Sequence, residues 1–219
     1  MKVLDIAQRT PEWYTARLGR LTASRASDML ATIKSGESAA RRNLRAQLVL
    51  ERLTGKSQDS GYQSAAMQAG IEREPDALLW YEAVTGQIVR RTGFVTHDTL
   101  MAGASLDGHL GEFDGLVEAK SPLAATHLEY LRTGTVPSDY GKQILHQLWI
   151  TGARWCDFFS YHPEFPERLR CRLLRVIRDD AAVADYDRLA RTFLSEVDRE
   201  VESLMTLTNL TGQLSEVVL

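Results

Sequence analysis

Apolar and polar positions change their period twice along the chain, and those changes lay out the elements. Near the N-terminus Thr10-Pro11-Glu12 is a helix-start signature with proline just inside the first turn. Trp13, Ala16, Arg17 and Leu18 follow at helical spacing as far as Gly19. Thr22 and Ser24 stand where they could cap a second helix over 22–30, and a third is predicted over 39–54 with Gly55 as its stop. Three helices are therefore expected before any strand. Residues 56–63 form a polar link, and 64–85 carries Leu78, Leu79, Trp80, Tyr81 and Val84 on a helical pattern that ends at Gly86. Pro75 is expected to kink or divide this segment.

Between 87 and 120 the period falls to two, and β-branched residues bounded by turn formers mark strands over 88–89, 94–96, 101–106 and 116–120. Helical spacing returns over 140–150. Two strands, 155–161 and 170–177, then flank a loop bearing Pro163 and Pro166, and the apolar positions from Val183 to Val201 mark a long last helix. This order predicts an α/β fold with a central mixed sheet flanked by helices. Neither a repeat nor a linker divides the pattern, so one domain over 1–219 is expected.

Composition narrows the class. An apolar content of 44% suits a sizeable core, and no uncharged apolar run reaches the length of a membrane span. With no secretory leader pattern at the N-terminus, a cytoplasmic protein is expected. Cys156 and Cys171 have no metal-ligand spacing and are expected to be buried thiols. A net charge of −3 argues against a protein that coats nucleic acid, but it leaves room for a local basic channel beside an acidic centre. The five histidines show no ligand spacing, and no phosphate-binding Gly-x-x-x-x-Gly-Lys loop is present. Neither a protein nucleophile nor a need for ATP is indicated.

Candidate chemistry concentrates in residues 104–120. Gly111, Asp114 and Gly115 are turn formers, so a four-residue loop over 111–114 should join two antiparallel strands and pair Leu110 with Gly115. Continuing that register sets Asp107 opposite Glu118 on one face, with Cβ atoms about 4.5 to 5.5 Å apart. Period two adds Lys120 to the same face. Two carboxylates held so close repel unless a cation joins them, and Mg²⁺ favours such oxygen donors. The plainer alternative makes Asp107 a turn residue and Glu118 with Lys120 an exposed ladder pair.

Asp107 followed by Glu118-Ala119-Lys120 resembles the PD-(D/E)xK nuclease superfamily. The rest of the chain is similar to its lambda exonuclease or YqaJ-like viral recombinase branch. The matching pieces are Gln8-Arg9-Thr10, Trp13, Ala16-Arg17-Leu18-Gly19, Thr22-Ala23-Ser24, Gly70 with Glu74, Ser105-Leu106-Asp107-Gly108, Glu118-Ala119-Lys120-Ser121-Pro122, and Tyr140, Gln143 and Trp149. Leu106 stands where the family usually has proline, and Ala119 where it has a larger aliphatic residue.

The resemblance implies a restriction-endonuclease-like core. It makes Asp107, Glu118 and the Ala119 carbonyl metal ligands, Lys120 the catalytic lysine, and Glu74 and Gln143 further members of the site. Tyr140, Gln143 and Gln147 share one helix face, opposite Ile144 and Leu148, which suits a polar face turned to that site. Arg17, Ser24 and Ser105 match a pocket for a terminal 5′ phosphate, and Met67 matches an apolar wedge between strands. Their plainer roles are a surface arginine, a helix cap and a core methionine.

Arg41, Arg42 and Arg45 could line a DNA groove or form a solvated face balanced by Glu37 and Glu51. The implied activity is a 5′ to 3′ exonuclease on double-stranded DNA ends, using Mg²⁺ or Mn²⁺, with two ions per site. It would leave a 3′ single-stranded tail for an annealing protein and act as a homotrimer. The rivals are another DNA endonuclease of the same fold and a non-catalytic DNA-binding protein.

Overall fold

Seven strands make one mixed sheet in the computed structural model, which describes residues 1–58 and 65–207, with side chains for all of these but 65–67. The strands are β1 (Lys2–Leu4), β2 (Leu21–Thr22), β3 (Arg90–Thr96), β4 (Ala102–Leu110), β5 (Gly115–Lys120), β6 (Trp155–Tyr161) and β7 (Cys171–Ile177). They lie in the order β1-β3-β4-β5-β6-β7, with β2 beside β4. The helices are α1 (Pro11–Arg17), α2 (Ala26–Met29), α3 (Ala39–Thr54), α4 (Ala65–Thr85), α5 (Ala124–Thr133), α6 (Ser138–Thr151) and α7 (Asp180–Leu207).

Both faces of the sheet are covered, as an α/β layer fold requires. On one face α2, α3, α6 and α7 close a large core around Leu44, Leu106, Leu116, Ile144, Phe158 and Phe193. On the other, Ala77, Leu78 and Tyr81 of α4 pack on Val117, Ala119, Phe159 and Tyr161. Strand β5 is parallel to β6, and α5 and α6 form the crossover between them.

Several expectations are corrected. Strands β1 and β2 precede or interrupt the first helices, so three helices do not come before any strand. They are two or three residues long, too short for a period-two signal. Over 22–30 the chain makes a 3-10 turn (Ala23–Arg25) and a single turn of α2, and Thr22 gives no side-chain cap. Ser24 sits inside the turn. Pro75 does not divide 65–85, because α4 runs through it as one helix. Residues 90–96 form one strand, and α5, which the apolar pattern did not mark, occupies 124–133. Helix α3 matches its expected bounds, with Gly55 at φ 64° as its left-handed cap.

Arg41 and Arg45 of α3 reach across to Glu196 of α7 and share Glu37, and Arg45 also pairs with Glu200. The two arginines thus tie helices together rather than offering free charge to a phosphate. Glu51 plays no part in this network; it is buried and accepts the Gly19 N–H at 2.8 Å. Cys156 is buried, whereas Cys171 at the start of β7 is only half-buried.

Candidate active site

The site lies in a fork of the sheet. Strand β4 pairs with β5 only at Gly108↔Val117, His109↔Leu116 and Leu110↔Gly115, and at its other end it pairs with β2 at Ala102 and Gly103. The hairpin turn therefore has the expected register, but the ladder stops before Asp107. Ala104 and Leu106 are packed in the large core, so alternation turns Ser105 and Asp107 away from it. The expected ladder pair of Asp107 with Glu118 is replaced by a side-chain bond in which the Ala119 N–H donates to Asp107 Oδ2 at 2.9 Å.

Convergence is reached all the same. Lys120 Nζ touches Glu118 Oε1 and lies 3.7 Å from Asp107 Oδ2, so one ammonium bridges the two acids. Glu118 is fully buried, pointing from β5 toward α6. There Gln143 Nε2 donates to Glu118 Oε1 at 2.6 Å, and Gln147 Nε2 donates to Oε2 at 2.5 Å. Four residues of helix separate these amides, which stacks them on one face. Lys120 also lies 5.3 Å from the centre of the Tyr140 ring, a cation–π contact from the same helix.

Burial, and then the charge of Glu118, push the Asp107 carboxyl well above the usual carboxylate range; Lys120 opposes them. Burial alone would lower the Lys120 ammonium, but Glu118 and Asp107 outweigh it and hold the group above the ordinary lysine range. The acids are thus crowded and the lysine is held as a cation, a perturbation typical of functional centres.

Glu74, from α4, pairs with Arg9 at 3.2 Å and adds its own charge to the field at Asp107. Arg9 has φ 67°, a left-handed conformation uncommon for a residue with a side chain. Beside it Gln8 Nε2 donates to the Leu106 carbonyl at 2.9 Å. These groups, with Arg91 and Thr92, line a cavity of about 410 Å³ that opens against Asp107.

Among the described residues no three His, Cys, Asp or Glu side chains form a group able to hold a metal ion by themselves. The donor set still suits Mg²⁺, which takes one or two carboxylates and keeps several waters. Asp107, Glu118 and the main-chain oxygen of Ala119 are hard oxygen donors of that kind. The crowding of the two acids, answered here by Lys120, is the condition that a divalent cation relieves.

A second group forms on the exposed side of β4. Ser105 Oγ lies 2.9 Å from Arg17 Nη1 and 3.0 Å from Trp13 Nε1, and the Arg17 guanidinium stacks over the Trp13 ring at 4.2 Å. Two residues of strand carry the chain from Ser105 to Asp107, which sets this basic, hydroxyl-bearing corner next to the acidic centre. Ser24 is exposed, with its hydroxyl 3.4 Å from Thr22 Oγ1. The side chain of Met67 lies outside those described.

Sequence reasoning did not give roles to Arg9, Trp13 or Gln147, although each stood in a quoted motif or on the polar face of α6. The shared helix face of Gln143 and Gln147 was the available signal: a polar side chain on a helix face turned to the sheet needs a hydrogen-bond partner there, and Glu118 supplies it.

Comparison with known proteins places these features in a family. The model of the YqaJ-like viral recombinase domain matches residues 12–154. The alkaline exonuclease LHK-Exo from Laribacter hongkongensis is 39% identical; its structure superposes with a TM-score of 0.84 over 91% of this chain and 98% of that one. The structure of LHK-Exo in complex with dAMP matches at a TM-score of 0.83 and the same identity and coverage. A phage-related exonuclease from Haemophilus somnus, 11% identical, shares the fold at a TM-score of 0.68 over 84% of this chain and 96% of that one. No curated protein matches.

Proposed function

The chain belongs to the YqaJ-like viral recombinase domain family, and from that premise we propose that it is a Mg²⁺-dependent 5′ to 3′ exonuclease acting on double-stranded DNA ends. The observation that carries the reading is the meeting of Asp107, Glu118 and Lys120 in the fork between β4 and β5. The kinship to the alkaline exonuclease LHK-Exo, whose structure is also known in complex with dAMP, supports hydrolysis that releases a mononucleotide.

In this reading Asp107, Glu118 and the Ala119 carbonyl would hold the metal, two ions per site. When bound, the metal lowers the pKa of a water and offsets charge on the phosphoryl oxygens. Lys120 orients that water and faces the developing negative charge, Gln143 holds Glu118 in place, and Glu74 completes the acidic wall. Arg17 and Ser105 offer a guanidinium fork and a hydroxyl to a terminal 5′ phosphate, the arrangement suited to charge-assisted bonds. Stacking of the Arg17 guanidinium on Trp13 holds the fork ready before a ligand arrives. Ser24 joins the same pocket by family resemblance.

The same resemblance extends the proposal to one domain over 1–219, a homotrimer around DNA, an annealing protein as partner for the 3′ tail, and work in the cytoplasm. Among the described residues no helix is long and apolar enough to cross a membrane. The deciding experiment offers the protein an end-labelled linear duplex and a covalently closed circle, each with and without Mg²⁺. Mononucleotide release from the 5′ end of the linear form alone, and only with the ion, is expected; cutting of the circle, or no turnover, would overturn the reading.

A further inference from the structure

Glu118 and Gln147 face each other in the sheet–helix interior, and both are shut off from solvent. A carboxylate accepts only, so the amide must present its NH₂ end to Glu118 Oε2, at 2.5 Å. Its other end, Oε1, lies 4.0 Å from Cys156 Sγ, which donates to it from β6. Gln147 is therefore pinned at both ends between two buried groups on adjacent strands. The two oxygens of Glu118 are consequently unlike. Oε1 meets Lys120 and the half-buried Gln143, on the side of the fork, while Oε2 is turned inward and engaged by Gln147.

Rotation of the carboxylate to present both oxygens to the fork would break the Gln147 bond and leave a buried amide without a partner, a costly change in a dry interior. Ca²⁺ takes six to eight oxygen ligands and accepts bidentate carboxylates, whereas Mg²⁺ demands an octahedral shell at shorter distances. Resting on the divalent-ion site proposed above, we propose that Gln147 is a positioning residue that makes Glu118 a one-oxygen ligand and so tilts the site toward Mg²⁺ over Ca²⁺.

The test uses the whole protein without DNA and titrates it with MgCl₂ and with CaCl₂ by calorimetry. Gln147→Met keeps the side-chain volume and removes the donor. The ratio of Mg²⁺ to Ca²⁺ affinity should fall about tenfold in this variant, on the scale seen when the partners of metal ligands are removed. Cys156→Ala, which frees only the far end of the amide, should shift the ratio the same way by less, and it serves if Gln147→Met does not fold. Equal weakening of both ions, or an unchanged ratio in the folded variants, would overturn the role of Gln147 while leaving the metal site standing. Failure of the unaltered protein to bind either ion would instead remove the metal site, and this inference with it.

Discussion

Asp107 Oδ2 accepts the Ala119 N–H at 2.9 Å across the gap where β4 and β5 part. The side chain thereby occupies the place of the next rung of the ladder. That single bond fixes the carboxylate at the mouth of the fork, with its charge toward Lys120.

Asp107→Asn should separate activity from stability. The amide oxygen can still accept from Ala119, while the charge that repels Glu118 and Glu74 is gone. Nuclease turnover should fall by roughly 10² to 10³-fold, on the scale of losing one preorganised electrostatic group. The melting temperature without divalent ions should hold or rise. A parallel loss of both would mean that Asp107 serves packing alone.

Lys120→Ala removes the cation that joins Asp107 to Glu118. Leaving a buried charge without its partner costs on the order of 3 to 5 kcal/mol, so the metal-free protein should melt markedly earlier. Saturating Mg²⁺ should recover more stability in this variant than in the unaltered chain, because an ion that binds only the folded form stabilises it by mass action. Turnover should stay low even with the ion bound. Thermal melts in EDTA and in MgCl₂, beside an exonuclease assay, decide the matter.

Much of this site could be read from residue spacing, and the part that could not has a physical reason. The turn over 111–114 was legible because Gly111 and Gly115 bracket it, and Leu110↔Gly115 pairs as they require. Extending the ladder to Asp107 failed because β2, a two-residue strand with no periodic signal, takes over beside β4 at Ala102 and Gly103. Convergence of Asp107 with Lys120 nevertheless follows, since a long lysine side chain tolerates a change of one rung. For Arg41 and Arg45 the local pattern offered Glu37, which both do engage, but it could not show Glu196 and Glu200, which lie some 150 residues away. The α4 helix shows the limit of proline as a breaker, for packing of Ala77, Leu78 and Tyr81 on the sheet carries the helix through Pro75.

Arg17→Ala should act on the end of the substrate rather than on bond cleavage. Arg17 donates to Ser105, two strand residues from Asp107. A hydrogen bond to a charged group is worth about 1.5 to 3 kcal/mol, so the preference for 5′-phosphorylated over 5′-hydroxyl duplex should shrink by roughly 10 to 100-fold. Arg17→Lys keeps the charge but loses the fork and the stacking on Trp13, and should recover only part of the preference. The ratio of kcat/KM on the two substrates measures this; an equal drop on both would remove Arg17 from the phosphate corner.

His146 sets an acid limit on the fold. It is fully buried on α6; Nε2 donates to the Gly103 carbonyl at 3.0 Å, so Nδ1 is left to accept the Tyr186 hydroxyl at 2.6 Å. Burial lowers its pKa from 6.5 to about 3, with the Gly103 bond opposing only in part. A folded-state pKa below the unfolded one means that the unfolded chain binds the extra proton. The stabilisation from neutral His146 is therefore complete above about 6.5 and is lost as pH falls from there toward 3, with an upper bound of roughly 5 kcal/mol. His146→Leu should be less stable at pH 7, because it strands the Gly103 carbonyl and the Tyr186 hydroxyl. Between pH 6.5 and 4, however, its stability should fall less steeply than that of the unaltered protein. Some slope should persist, since His97, His109 and His162 are also shifted down by burial. Urea denaturation at a series of pH values reads both quantities, and an unchanged slope in His146→Leu would show that the proton is taken up elsewhere.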